Sequence, residues 1–277
     1  MRRLANSVVL IGLFSATVLT GCNSTDTAHA SNLDYQTISY QKQGGKACPA
    51  GSAWNSDESA LCASVKILYP QLNQADANPI IQQINQFIGE ETFSYETEDG
   101  KQAKTAEELA SLFIDEYLKQ PEVSTPWTLE RSIAIVFSTD AILTLKFSEY
   151  SYMGGAHPAS GQSYYTLNRH NGKPYKLSDL LNNGYEDELN IIGERIFRAD
   201  KKIPADQMLT EAGYEFPNGN FALNSNFAAT QEGLVFYFNS YEIAPYALGP
   251  TELTIPYQDI PNLIRADGPL AAFKPKA

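Results

Sequence analysis

The stretch that decides the fold is "WTLERSIAIVFSTDAILTLKFSEYSYMGG", Trp127 to Gly155. Its apolar residues recur every second position on both sides of "STDA", which is the pattern of two long strands joined by a turn. "GQSYYTLNRHNGKPYKLS" follows as a third strand that ends at an Asn171-Gly172 turn. Upstream the period is 3.6. "NPIIQQINQFIGEE" starts after Asn78 with Pro79 suited to a first helical turn, and "TAEELASLFIDEYLK" starts with Thr105 as cap and Glu108 three residues on. Ile80, Ile81, Ile84, Phe87 and Ile88 fall on one face of the first helix, and Leu109, Leu112, Phe113 and Tyr117 on one face of the second.

Further outward, "LDYQTISYQK" and "CASVKILYPQL" predict two N-terminal strands. "SDLLNNGYEDELNIIGERIFRADK" predicts a short helical start at Ser178 and Asp179 and a longer helix from about Tyr185. "NFALNSNFAATQEGLVFYFNSYEIAPYALGPTELTIPYQDI" returns to strand, with a turn at Glu232-Gly233. Runs of strands alternating with runs of helices predict an α+β fold: a mostly antiparallel sheet packed with helices, in two sequential α/β halves, 33–150 and 151–277. No internal repeat is visible.

The N-terminus carries an address. Arg2 and Arg3, an apolar run from Val8 to Leu19 and "LTGC" have the layout of a signal peptide over residues 1–22, too short in its apolar core for a membrane span. Leu19 to Cys22 resemble the bacterial lipobox, which implies lipidation of Cys22 and anchoring to a membrane without spanning it. Asn23 after the cysteine implies the outer membrane, facing the periplasm. "NSTDTAHASN", residues 23–32, reads as a polar tether, with His29 in solvent.

Cys48 and Cys62 remain as an even pair, which in an oxidising compartment reads as a disulfide. With neither a CxxC spacing nor adjacent histidines, no metal role is expected. The chain has 20 basic and 32 acidic residues; without Arg2 and Arg3, 18 stand against 32, a charge of about −14. Nucleic acid is excluded as a partner on that balance, because phosphate binding is driven by clustered lysine and arginine. An acidic surface steers basic proteins toward it.

"GGAHP" at 154–158, "NGKPYKLSDLL" after it, and "GLVFYFNSYEIAPYALGPTELTIPYQDI" from Gly233 resemble the RsiV/PdaC-type envelope domain family. That domain forms the extracytoplasmic part of the anti-sigma factor RsiV, precedes the catalytic domain of the peptidoglycan deacetylase PdaC, and is related in fold to secreted mycobacterial immunogenic proteins. The resemblance implies ligand binding, with lysozyme the ligand in the RsiV case, and places deacetylation in a separate domain. The chain shows neither a cytoplasmic segment before the signal nor room for a deacetylase after Ile260, so sigma-factor control and deacetylation are not expected.

His157 is the sharpest catalytic candidate, close in sequence to Glu149, Tyr150 and Tyr152. No nucleophile stands in a recognisable frame, since "ASGQS" lacks the strand, turn and helix of an elbow. The expected role of His157 is therefore to hold a corner by hydrogen bonding to backbone where Gly154 and Gly155 supply positive φ. His157 and His170 lack the spacing of a zinc site, and no cofactor is expected. Tyr241, Glu242 and Tyr246, with Tyr257, are candidates for an aromatic recognition surface, or else for packing beneath a loop. The expected function is a noncatalytic envelope lipoprotein binding a basic protein such as lysozyme, or a cell-wall component such as peptidoglycan. The alternatives are a cell-wall or ester hydrolase using His157 and a structural outer-membrane accessory.

Overall fold

The structure is a computed structural model that describes residues 33–275 apart from 123. The signal peptide, Cys22 and the tether with His29 lie outside the described residues. Two N-terminal strands, β1 (Tyr35–Gly44) and β2 (Ala63–Leu72), pair antiparallel. The loop between them is closed by a disulfide joining Cys48 to Cys62. It folds back on the hairpin, where the Gln43 side chain donates to Asn55 O at 2.9 Å and accepts from Asn55 N at 2.8 Å.

Two helices follow. In α1 (Pro79–Phe93) the Asn78 side chain accepts from the backbone N–H groups of Ile80 and Ile81, satisfying donors that have no helical partner. Helix α2 (Ala106–Lys119) is capped by Thr105, which accepts from Glu108 N. Glu108 reaches back to Lys104 N at 2.8 Å, one residue beyond the cap. Ile84 and Ile88 of α1 are buried with Leu145 and Leu167, and Leu109, Phe113 and Tyr117 of α2 with Val65 and Leu129. Both helices cover the same face of one sheet.

That sheet continues with β3 (Trp127–Ser138), β4 (Ile142–Tyr152) and β5 (Ala159–Asn168), in the order β1-β2-β3-β4-β5. All neighbours are antiparallel except β2 and β3, which run parallel because α1 and α2 form the crossover between them. The division drawn at 150/151 falls inside β4. The turn into β5 keeps the chain in the same sheet, with Ile142 to Ser151 paired along Asn168 to Ala159, so the first unit closes only at Asn168.

The second unit holds a short helix α3 (Leu177–Leu180), α4 (Tyr185–Lys201) and an antiparallel sheet β6 (Phe227–Ala229), β7 (Gly233–Phe238) and β8 (Thr251–Pro256). Phe197 of α4 is fully buried among Tyr214, Phe216 and Phe221. Side chains join the two units. Thr144 donates to Ala229 O at 2.6 Å and Thr166 accepts from Ala229 N at 3.0 Å, both buried. Along β5, Asn226 accepts from Tyr164 N and donates to Gln162 O, while Asn239 accepts from Gln162 N and donates to Gln162 O. Two asparagine amides thus bond to the backbone of β5 on the side away from β4. Among the described residues no helix is long and apolar enough to cross a membrane.

Candidate functional site

Register decides which side chains face away from the helices. Across β1 to β4, Gln41, Lys66, Glu130 and Tyr150 form one row, and Ser39, Leu68, Ser132 and Ser148 the next. Between the rows lies the backbone of Tyr40, Ile67, Arg131 and Glu149, whose side chains point to the helix side. These residues line a concavity of about 400 Å³ on the face opposite α1 and α2. Ser39, Ser132 and Ser148 line one row of its floor beside Leu68, and Gln41, Lys66, Glu130 and Tyr150 the other. Leu68 and Tyr150, 44% and 41% exposed, stand out of it. Lys66 is paired with Glu130 at 2.8 Å and lies 5.8 Å from the centre of the Trp54 ring, which the disulfide loop supplies.

Glu149 shares β4 with Tyr150 but turns to the other side. There its Oε2 accepts from Arg131 Nε at 2.6 Å, and Arg131 Nη1 donates to the carbonyls of Thr92 and Ser94 at the end of α1. The arginine thereby neutralises the carboxylate and serves as a C-terminal cap. A second concavity, about 190 Å³, continues from Ser148 and Glu149 onto β5, lined further by Ser160, Gln162, Asn239 and Ser240.

The loop from Met153 to Pro158 rises at the Tyr150 end of this face. Gly154 and Gly155 have φ of 93° and 99°, as expected of the corner, and Tyr152 Oη donates to Gly155 O at 3.2 Å. His157 is exposed. Its ring stacks on Tyr246 with centroids 4.8 Å apart, and Tyr246 in turn lies 5.5 Å from Tyr241. Ring contact takes the place of the expected backbone hydrogen bond, because the loop from the second sheet reaches the corner and leaves no buried acceptor for the imidazole. No hydrogen bond joins His157 to Ser160, Ser163 or Glu149 among the described residues.

Tyr241 is held in an unusual way. Glu242 N donates to Asn239 O, closing a turn in which Tyr241 is the third residue, with φ of 69°. That position favours glycine, and an L side chain there costs about 1 kcal/mol or more. Glu242 fixes the turn by accepting from Asn239 N at 2.8 Å and from Asn224 Nδ2 at 2.6 Å, so its carboxylate is structural. Tyr241 is nevertheless 68% exposed. The other two tyrosines divide: Tyr246 is half-buried, while Tyr257, 4% exposed, donates to Thr230 O and belongs to the core. Ile243, 5% exposed, packs beneath the loop.

Tyr164 and Tyr237 close the far side, with Tyr164 Oη donating to Glu252 at 3.0 Å. Burial, then the Glu252 charge, hold both phenols above the usual tyrosine value. His170 sits exposed at the opposite end of β5 from His157, roughly 30 Å away along a ten-residue strand. Among the described residues no three His, Cys, Asp or Glu side chains are grouped to hold a metal. The sequence reading missed Ser39, Lys66, Leu68, Ser132, Ser148 and Trp54. For Ser39, Lys66, Ser132 and Ser148 the signal was a polar or small residue at alternate strand positions, which marks a face without a partner but not its location; Leu68 and Trp54 carried none.

Residues 56–160 match the family described as Deacetylase PdaC, and residues 178–258 the one described as Protein of unknown function (DUF3298). The chain is 26% identical over 123 residues to the Peptidoglycan-N-acetylmuramic acid deacetylase PdaC of Bacillus subtilis, covering 44% of this chain and 26% of that protein. It is 26% identical over 115 residues to the Immunogenic protein MPT64 of Mycobacterium tuberculosis, covering 42% and 49%. The chain therefore spans between about a quarter and a half of the length of these curated relatives. Among solved structures, a DUF3298 family member from Bacteroides fragilis superposes with a TM-score of 0.70 at 19% identity, covering 89% of this chain and 99% of that one. One from Pseudomonas aeruginosa superposes with a TM-score of 0.60 at 18% identity, covering 85% and 95%.

Proposed function

The chain belongs to the PdaC/DUF3298 type of domain family, and from that premise we propose that it is a noncatalytic, lipid-anchored binding domain of the bacterial cell envelope whose ligand is a cell-wall component. The observation that carries this reading is the uncovered sheet face, a shallow floor that includes three serine hydroxyls and the Tyr150 ring, beside an exposed ring stack. Shallow faces that combine hydroxyls with aromatic rings suit recognition of an extended ligand. A relative named for action on peptidoglycan N-acetylmuramic acid is in keeping with a wall ligand. The test is co-sedimentation of the full-length protein, kept in detergent, with purified peptidoglycan. Retention above an insoluble cellulose control is expected, and equal retention on both overturns the reading.

A net charge of −12 favours a second reading, a basic protein of the lysozyme type. Cytochrome c, comparably basic and unrelated, is the control. Specific binding is expected to weaken with salt and to survive where the Debye length is about 8 Å. Equal binding of both proteins, lost at that ionic strength, reduces the interaction to charge. A hydrolase using His157 predicts wall or ester cleavage that His157→Ala abolishes; a structural accessory predicts no ligand in any of these assays.

A further inference from the structure

We propose that the two concavities on the open sheet face form one track for a neutral, N-acetylated amino-sugar chain, with Tyr241, Tyr246 and His157 as the stacking platform at its end. The inference rests on the wall-ligand reading above and assigns that ligand its chemistry and its place. Ser148 and Glu149 line both concavities, so the floor is continuous from β1 to β5. Five strands give four spacings of about 4.8 Å, roughly 19 Å in all, the reach of a short oligosaccharide rather than a single sugar.

Charge narrows the occupant. Although the protein carries −12 overall, the track is balanced within itself, because its one lysine, Lys66, is bonded to Glu130, while the Glu149 and Arg131 side chains pair on the other side of the sheet. A cationic partner finds no free carboxylate on this floor, and an anionic one finds no free amine. What remains are hydroxyls of Ser39, Ser132, Ser148, Ser160 and Ser240 and the amides beside them, which pair with sugar hydroxyls and acetamido groups. Ser240 leads directly into Tyr241. The positive φ at Tyr241 keeps an exposed ring in line with Tyr246 and His157 at the expense of local stability, and strain of that kind without burial marks a ligand contact. The apolar face of a pyranose ring stacks on the outer side of Tyr241, which Tyr246 and His157 back from within the stack.

The test is calorimetric titration of the full-length protein in detergent with the β-linked tetramer of N-acetylglucosamine, and with its fully deacetylated, cationic counterpart. Binding of the acetylated tetramer is expected, changing less than about threefold between roughly 0.05 and 0.5 M salt. The cationic tetramer is expected to bind more weakly; if it binds more tightly, charge is the determinant and the proposal falls. Tyr241→Gly removes the ring and relieves the backbone, so affinity is expected to fall about tenfold or more while the melting temperature holds or rises. Ser132→Phe fills the floor and is expected to abolish binding. Wild-type affinity in both variants, with peptidoglycan still retained, moves the site elsewhere and overturns the track alone. Loss of Tyr241→Gly binding together with a lowered melting temperature makes the ring structural and also overturns it. Failure of the unaltered protein to retain peptidoglycan or either tetramer sinks the wall-ligand reading itself.

Discussion

At Gly233 a methyl group would lie 2.2 Å from the carbonyl oxygen of Ile255, a backbone atom fixed by the β7–β8 ladder. Gly233→Ala is expected to destabilise the protein by about 2 kcal/mol or more, read from a denaturant midpoint, since neither strand can yield without breaking its pairing. In the sequence this glycine is legible as part of a turn; the close approach comes from Ile255, next to its distant register partner Pro256, and is not. Exposure was equally hidden. "NSYEIAPYALGP" and "PYQDI" present tyrosines in similar company, yet Tyr241 stands in solvent and Tyr257 in the core, because only the latter lies under Phe273 and against Thr230. His157 is the residue whose expectation changes most. With its ring exposed and stacked, His157→Ala is expected to shift stability by only about 0.5 kcal/mol, as surface replacements do.

Elements were largely readable where their signals are local. Asn78 and Thr105 mark the two helix starts in sequence and cap them in the structure, and "STDA" turns β3 into β4. Partnership between elements was not readable, because the parallel β2–β3 pairing depends on where a two-helix crossover returns the chain. The side-chain joint along β5 was equally invisible: "SNF" and "FNS" are ordinary turn sequences until Asn226 and Asn239 are seen against Gln162 and Tyr164. Asn226→Leu strands the partly buried N–H of Tyr164, and is expected to cost about 1 to 3 kcal/mol, measured by denaturant unfolding. The disulfide acts on a loop with few apolar residues. Reduction is expected to remove about 3 kcal/mol, and alkylation of the denatured, unreduced protein to find no free thiol at Cys48 or Cys62.

For the whole molecule, the α+β class follows from periods of 2 and 3.6 in the sequence, whereas the bare face follows from both helices packing on one side of the first sheet. Alkali tests the assembled structure. Burial, with Glu116, Glu252 and Glu91 beside three of them, raises Tyr95, Tyr164, Tyr165 and Tyr257 well above the ordinary tyrosine value. A phenol raised in the folded state favours folding fully below its unfolded value and loses that contribution as pH climbs toward the folded one. Melting temperature is thus expected to be insensitive to these groups up to about pH 9 and to drop steeply above about pH 10. Anchoring is tested separately: Cys22→Ser is expected to leave an unprocessed precursor without fatty-acid label. The asparagine joint has a consequence for biogenesis. A chain that emerges N-terminus first completes its five strands at Asn168, while Asn226 and Asn239 are still to come. Until they arrive the nascent domain presents an open strand to its neighbours, so a truncation ending near residue 200 is expected to self-associate, read by light scattering, and the C-terminal sheet acts as the seal on that edge.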